Sequence, residues 1–301
     1  MSTSMEHLKN VIIPETLEFM SDKTSKPLRT VLFPIPDKDF DPTETAFAWS
    51  ILKKYGYECH FATEDGNVGV TDLAILNNEG LSFAAKTMFS MLGLTAKEDF
   101  VQKAYEDLTK DEHFLHPLSW KTVDVKNYDG LYCSGGHAWG VKQYLGSEEL
   151  QRKVSEFWSL DRPVAAICHG VLLVARSKLL NDQSKSVLTG KRVTCLTNFQ
   201  EWTAYYATGL MVGNMFRTYE ETTQDEVTRL MYNAPNKEEA TKQDQIQKLF
   251  DVGPPAYKKI WQIQEQFVVE DGNFLSARWP GDTMLIAHRF AQKLAMYNKN
   301  Q

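Results

Sequence analysis

The chain has 301 residues, enough for one large α/β domain or two small ones. Its 43% hydrophobic and 24% charged residues are the proportions of a globule with a substantial core. A formal net charge of −6 argues against nucleic acid or an anionic membrane as partner, because both demand concentrated positive charge.

Four cysteines, Cys59, Cys133, Cys168 and Cys195, are widely spaced and form no C-x-x-C pair. That is neither a disulfide scaffold nor a zinc ribbon, so a reducing, cytoplasmic compartment is expected. No metal and no cofactor are expected either. The first residues lack the basic and apolar regions of a signal peptide. No apolar run reaches the roughly 18 residues that a membrane span requires.

Residues 1–28 are polar and mixed, with a short amphipathic stretch at Leu8–Ile13, and are expected to form an N-terminal extension. Arg29–Ile35 predicts a buried first strand. Thr43–Tyr55 has helical spacing, with Phe47, Ile51 and Leu52 on one face. Asp41, Pro42 and Glu44 would occupy its N-cap, N1 and N3 positions. Gly56 stops that helix, and Tyr57–Ala62 predicts a second strand. Residues 80–110 read as two helices, followed by a loop through His113–Pro117. His113 and His116 lack the helical context of a zinc pair, since Pro117 follows at once.

Tyr128–Cys133 predicts a third strand, ending in Ser134-Gly135-Gly136-His137. Gln143–Leu160 reads as a helix, Pro163–Ile167 as a strand and Val171–Ala175 as a helix. Arg192–Leu196 is expected to form a further strand. From about 199 to 262 the chain is polar and helical, an expected insertion or cap on a single domain spanning 29–301. Gln266–Glu270 and Asn273–Ala277 flank Asp271-Gly272 as a hairpin. Pro280–Tyr297 predicts the final helix. Strand and helix patterns alternate, so the expected class is α/β, a mainly parallel sheet covered by helices on both faces. The site of such a sheet lies beyond the carboxyl ends of its strands.

Ala166-Ile167-Cys168-His169-Gly170 carries the most information. A strand stops at a cysteine and a helix follows directly, with small residues on either side, as in a nucleophile elbow. That geometry would hold Cys168 over a helix N-terminus, where the backbone amides favour thiolate. A buried structural cysteine is the plain alternative. The amides of His169, Gly135 and Gly136 could form an oxyanion hole, since glycine lets backbone approach a substrate closely. His169 alone reads as a helix-start residue, because adjacent side chains normally point apart. Glu44 fits an ordinary capping arrangement, and equally a carboxyl placed near the thiol with a raised pKa. Asn198 and Glu201 could orient His169 or form a second capping pair. Arg278-Trp279-Pro280 could line a pocket.

Three motifs together resemble the PfpI/ThiJ superfamily: Asp41-Pro42-Thr43-Glu44 followed by Phe61–Gly66, then Tyr128–Leu131 through Ser134–His137, then Ala165–Gly170. The resemblance covers about 29–200, with a weaker return at 266–298. It implies a flavodoxin-like fold similar to class I glutamine amidotransferases. It also implies a site with Cys168 as nucleophile, Glu44 hydrogen-bonded to its sulfur and His169 as acid/base partner. The heat-shock chaperone branch looks most similar, and it resembles cofactor-independent glyoxalase III enzymes, which convert methylglyoxal to lactate. Asn198, with Glu201 nearby, stands where some members place an acidic third triad residue. Family members are commonly dimers, so a homodimer is expected. Two other functions fit the same residues. One is a cysteine peptidase or amidase acting on a peptide-like substrate. The other is a holding chaperone or redox sensor with a reactive cysteine.

Overall fold

The computed structural model describes residues 29–255 and 266–297. The expected N-terminal extension, and residues 256–262 of the expected helical section, lie outside the described residues. Strands follow in chain order: β1 (Thr30–Pro34), β2 (Lys38–Phe40), β3 (Glu58–Thr63), β4 (Val70–Thr71), β5 (Leu118–Ser119), β6 (Gly130–Cys133), β7 (Val164–Ile167), β8 (Lys178–Leu179), β9 (Asp182–Ser186), β10 (Val268–Asp271) and β11 (Phe274–Ala277).

Seven of them form the main sheet, in the order β10-β11-β7-β6-β1-β3-β5. β11, β7, β6, β1, β3 and β5 run parallel, and β10 alone is antiparallel. The strands read as continuous apolar runs because both faces are covered. Phe33, Phe61, Tyr132, Ala165 and Ile167 turn to one face, against the helices Ala48–Lys54 and Thr283–Met296. Leu32, Ala62, Leu131, Val164 and Ala166 turn to the other, against the helices Val141–Gly146, Glu148–Trp158 and Gly170–Arg176. Successive residues of a strand point to opposite faces, so each four- or five-residue strand feeds two cores. This is the flavodoxin-like α/β architecture.

Several elements depart from the sequence expectations. The helix after β1 opens as a π-helical turn, Thr43–Phe47, before becoming α-helical at Ala48–Lys54. The expected helix Gln143–Leu160 is two helices, because Ser147 leaves the helical conformation (ψ 111°) and caps the second through the amide of Leu150. The segment 113–117 contains a short helix, Glu112–Leu115, capped by Asp111. In the hairpin, Asp271 pairs with Phe274, so the turn is Gly272-Asn273, one residue later than expected. Gly272 supplies the positive φ of 61° there.

Arg192–Leu196 is not a strand. Both backbone edges of β11 are already taken, by β10 and β7, leaving this segment no open ladder. It makes one isolated bridge, Val193 to Phe250, and hangs on the Ser276 hydroxyl through the amide of Thr194. The section beyond it contains the helices Asn198–Val212, Thr223–Met231 and Lys237–Gln247. No helix among the described residues is long and apolar enough to cross a membrane.

Candidate active site

β1, β6, β7 and β11 end along one edge of the sheet, and the chemistry-bearing residues gather there. The turn after β7 begins with the Cys168 amide bonded to Ala277 O at 3.1 Å, one step beyond the last residue of the strand. Cys168 then takes φ 57°, a left-handed conformation that costs an L-residue about 1 kcal/mol or more. The helix Gly170–Arg176 starts two residues later. A Cβ on Gly170 would lie 2.3 Å from Cys133 O and 2.6 Å from Ser134 O, so only glycine lets this helix cross the end of β6. The sharp turn expected from Ala166 and Gly170 is present.

The other half comes from the π-helical turn. Asp41 Oδ1 accepts from the amides of Thr43 and Glu44, at 2.8 and 3.0 Å, and caps it. Three bonds tie the turn to the end of β6: Asp41 N to Gly135 O at 3.1 Å, Thr45 Oγ1 to Ser134 Oγ at 2.8 Å, and Gly135 N to Glu44 Oε2 at 2.8 Å. Glu44 is completely buried and lies beside the Cys168 thiol, whose pKa it raises. Capping and proximity to the thiol thus coexist in one turn: Asp41 does the capping and Glu44 is left for the sulfur.

The Gly135 amide therefore points at Glu44 and cannot also point at a substrate oxygen. A Cβ there would lie 2.8 Å from Glu44 Oε2 and 3.0 Å from Cys168 Cβ, so the glycine provides room for the carboxylate. Gly136 (φ 145°) has Asp39 O 2.5 Å from where a Cβ would be, and it lines the cavity. Of the three amides expected to form an oxyanion hole, Gly135 is spent. The His169 amide lowers the pKa of the Cys168 sulfur beside it.

His169 is brought to the thiol, with Nδ1 3.6 Å from Cys168 Sγ. Burial first, then the His137 and Arg176 charges, lower its pKa to about 3. It is a neutral imidazole at physiological pH. The Cys168 thiol moves the opposite way from the sequence expectation. Burial, then the Glu44 and Asp41 carboxylates, push its pKa well up, and the His169 amide only partly opposes this. Seven residues of helix behind the amide do not outweigh two carboxylates in front of the sulfur.

Asn198 and Glu201 are not turned onto His169. Thr197, not Asn198, is the N-cap, forming a capping box with Gln200. Asn198 therefore faces the helix Thr223–Met231, bonding Asp225 at 2.8 Å and the Gln224 side chain at 2.9 Å. Glu201 accepts from the Thr223 amide at 2.9 Å and from Arg217 at 3.3 Å. Its side chain still borders the cavity.

The cavity over Cys168 measures about 210 Å³. Its floor is Glu44, Cys168 and His169, and its walls include Leu92, Leu94, Leu196, Phe216 and Trp279. Trp279 is set by the buried pair Arg278–Asp282, whose fork bonds run at 2.8 and 3.0 Å. His137 was legible only as part of a motif; it lines the cavity and stacks on Phe216 at 4.1 Å and 11°. Nothing in the sequence signals this pairing, since 79 positions separate the partners.

The family model described as "ThiJ/PfpI family-like" matches residues 35–242, more than half of the chain. The chain belongs to this family. An uncharacterized protein of Schizosaccharomyces pombe, C14C4.04, is 26% identical over 151 residues, 48% of this chain and 52% of that protein. Glyoxalase 3 of Candida albicans is 24% identical over 160 residues, 52% and 60% of the two chains. The chain thus spans about half the length of these curated relatives. The structure of the Rapid Encystment Protein of Francisella tularensis aligns with TM-score 0.60 at 16% identity, covering 90% of this chain and 100% of the other. That likeness shares the fold.

Proposed function

We propose that this ThiJ/PfpI-like protein is a cysteine-dependent, cofactor-independent enzyme of the glyoxalase III kind, converting a 2-oxoaldehyde and water to a 2-hydroxy acid. Methylglyoxal to lactate is the simplest case. The carrying observation is Glu44, completely buried, fixed at 2.8 Å by the Gly135 amide and held beside the Cys168 thiol, whose pKa its carboxylate raises. Similarity to Glyoxalase 3 of Candida albicans supports the same reading.

The thiol is held protonated, so the thiolate has to be made as it reacts. Glu44 takes the S–H proton while sulfur bonds to the aldehyde carbon, and then passes it to the carbonyl oxygen, which becomes the hydroxyl of a hemithioacetal. A proton then leaves that carbon and arrives on the neighbouring one, through an enediol, while the hydroxyl proton passes to the oxygen of that neighbouring carbon. Glu44 and the neutral His169, both beside the sulfur, move it. The product is a 2-hydroxy thioester, which water cleaves to the hydroxy acid and free thiol. No oxidant or reductant is consumed. A carboxyl locked against the sulfur suits this repeated proton traffic. A peptidase would instead draw more on the Gly135 amide that Glu44 occupies.

The test is methylglyoxal consumption with lactate formation, without glutathione or added metal, by the wild type, Cys168→Ala and Glu44→Gln. Expected are turnover in the wild type, none in Cys168→Ala, and a loss of about 10²–10⁴-fold in Glu44→Gln. No turnover in a folded wild type would sink the proposal.

A further inference from the structure

We infer that the substrate of this site is a neutral 2-oxoaldehyde carrying a bulky apolar substituent, seated in the cavity and extending onto an aromatic shelf at its mouth. This rests on the glyoxalase III-like reading and names its substrate class.

Three observations lead here. The first is the wall. Beyond the reacting groups, Ile75, Leu92, Leu94, Leu196, Phe216 and Trp279 enclose the space. These walls are held rigidly. Phe216 is sandwiched by His137 at 4.1 Å and braced edge-on by Phe89 at 5.4 Å, and both Phe89 and Phe216 are buried. A methyl substituent on the dicarbonyl would leave most of that apolar surface without a partner.

The second is the charge. Among the described residues no lysine or arginine lines the cavity, while Asp41, Glu44 and Glu201 do. An anionic substrate, such as a glutathione adduct or a peptide carboxylate, would meet carboxylates with no counter-charge. Arg217, beside the lining residue Glu201, is turned to it at 3.3 Å and lies over the Trp202 ring at 4.3 Å.

The third is the mouth. Phe199 and Thr203 border the cavity and also a second, shallow groove with Trp202, Tyr206 and Ala207. Along it Trp202 and Tyr206 are stacked, with centroids 5.3 Å apart. One face of the helix Asn198–Val212 thus leads from the thiol out to solvent over aromatic side chains. That is a track for a chain or ring too long for the cavity.

Straight-chain 2-oxoaldehydes of increasing length, and phenylglyoxal, test this by initial-rate kinetics. Burial of each added methylene is expected to raise kcat/KM by up to about fourfold until the cavity and shelf are filled. Phenylglyoxal should exceed methylglyoxal by about tenfold or more. Ala204→Phe, which fills the cavity from the helix side, should flatten the length dependence. A flat or falling series, with methylglyoxal still turned over through Cys168, overturns the substrate class and leaves the reaction standing. Absence of turnover with every aldehyde overturns the reaction instead. Acetophenone binding to Cys168→Ala, followed by tryptophan fluorescence, needs no chemistry. Saturable binding that Ala204→Phe removes supports the apolar ligand class, and no binding overturns it.

Discussion

Glu44 and His169 illustrate how much a single side chain's surroundings decide. His169 is neutral because it is buried, so it can accept a proton but brings no positive charge to the thiol. A His169→Asn variant should therefore lose turnover, by about 10²-fold, without a large change in the pKa of Cys168. The check is iodoacetamide alkylation of Cys168 as a function of pH, beside kcat. Had His169 been an imidazolium partner, the alkylation profile would shift strongly upward in the variant. Gly135 is equally specific: a Gly135→Ala change drives a methyl to within 2.8 Å of the Glu44 carboxylate, so it should abolish the proposed turnover through the carboxylate rather than through a lost oxyanion contact. Reactivity toward iodoacetamide should change along with turnover.

At the scale of elements, the elbow and the π-helical turn make one unit, joined across the end of β6. Gly170→Ala would place a methyl 2.3 Å from Cys133 O, and both are backbone-bound, so neither can move aside. It should cost about 3 kcal/mol, read from urea unfolding, and more if the helix cannot shift. Thr197→Ala, by contrast, removes one side of a capping box and should cost about 1 kcal/mol. These elements differ in how far they could be read from the chain. The β7–elbow–helix unit was legible because Ala166 and Gly170 have a local steric reason to be small. The start of the helix Asn198–Val212 was missed by one residue, since Thr197 and Asn198 are both good caps. Only packing against Thr223–Met231 turned Asn198 outward. The apolar run Arg192–Leu196 looks like a strand by composition, and nothing local tells that β10 and β7 have filled the sheet on both sides. Glu44 meeting Gly135 depends on residues 91 apart, and spacing alone does not encode it.

Among the described residues three histidines, His169 and His288 buried and His137 partly so, have lowered pKa values: His137 and His288 to about 4, and His169 to about 3. Each takes up a proton on unfolding in the range between its folded value and about 6.5. Stability is therefore full above about pH 6.5 and is lost as pH falls toward 4, by roughly 2 kcal/mol per histidine at pH 5. Asp72 opposes this. Burial raises its pKa to about 6, so it favours the folded state more as pH falls through that value, and it nearly cancels His137. Two histidines remain uncompensated by this pairing. Urea unfolding at pH 7 and pH 5 should show the loss, and His288→Asn should reduce the slope by about one proton. A pH-independent midpoint would contradict the assignment. The doubly covered parallel sheet was readable from the alternation of apolar runs and helices, because both faces of each strand are buried and the runs are continuous. The cavity was not, because its walls come from loops and helices far apart in the chain.

The left-handed backbone at Cys168 has one further consequence. Elsewhere in a folded chain, replacing a side chain by glycine destabilises more than replacing it by alanine. Here the order should invert, because only glycine adopts a φ of 57° without strain. Cys168→Gly should melt at or above Cys168→Ala, and Cys168→Val, β-branched, well below both. The position of the thiol thus stores conformational strain, held in place by the fixed ends of β7 and the helix behind it, and only glycine at 168 releases it.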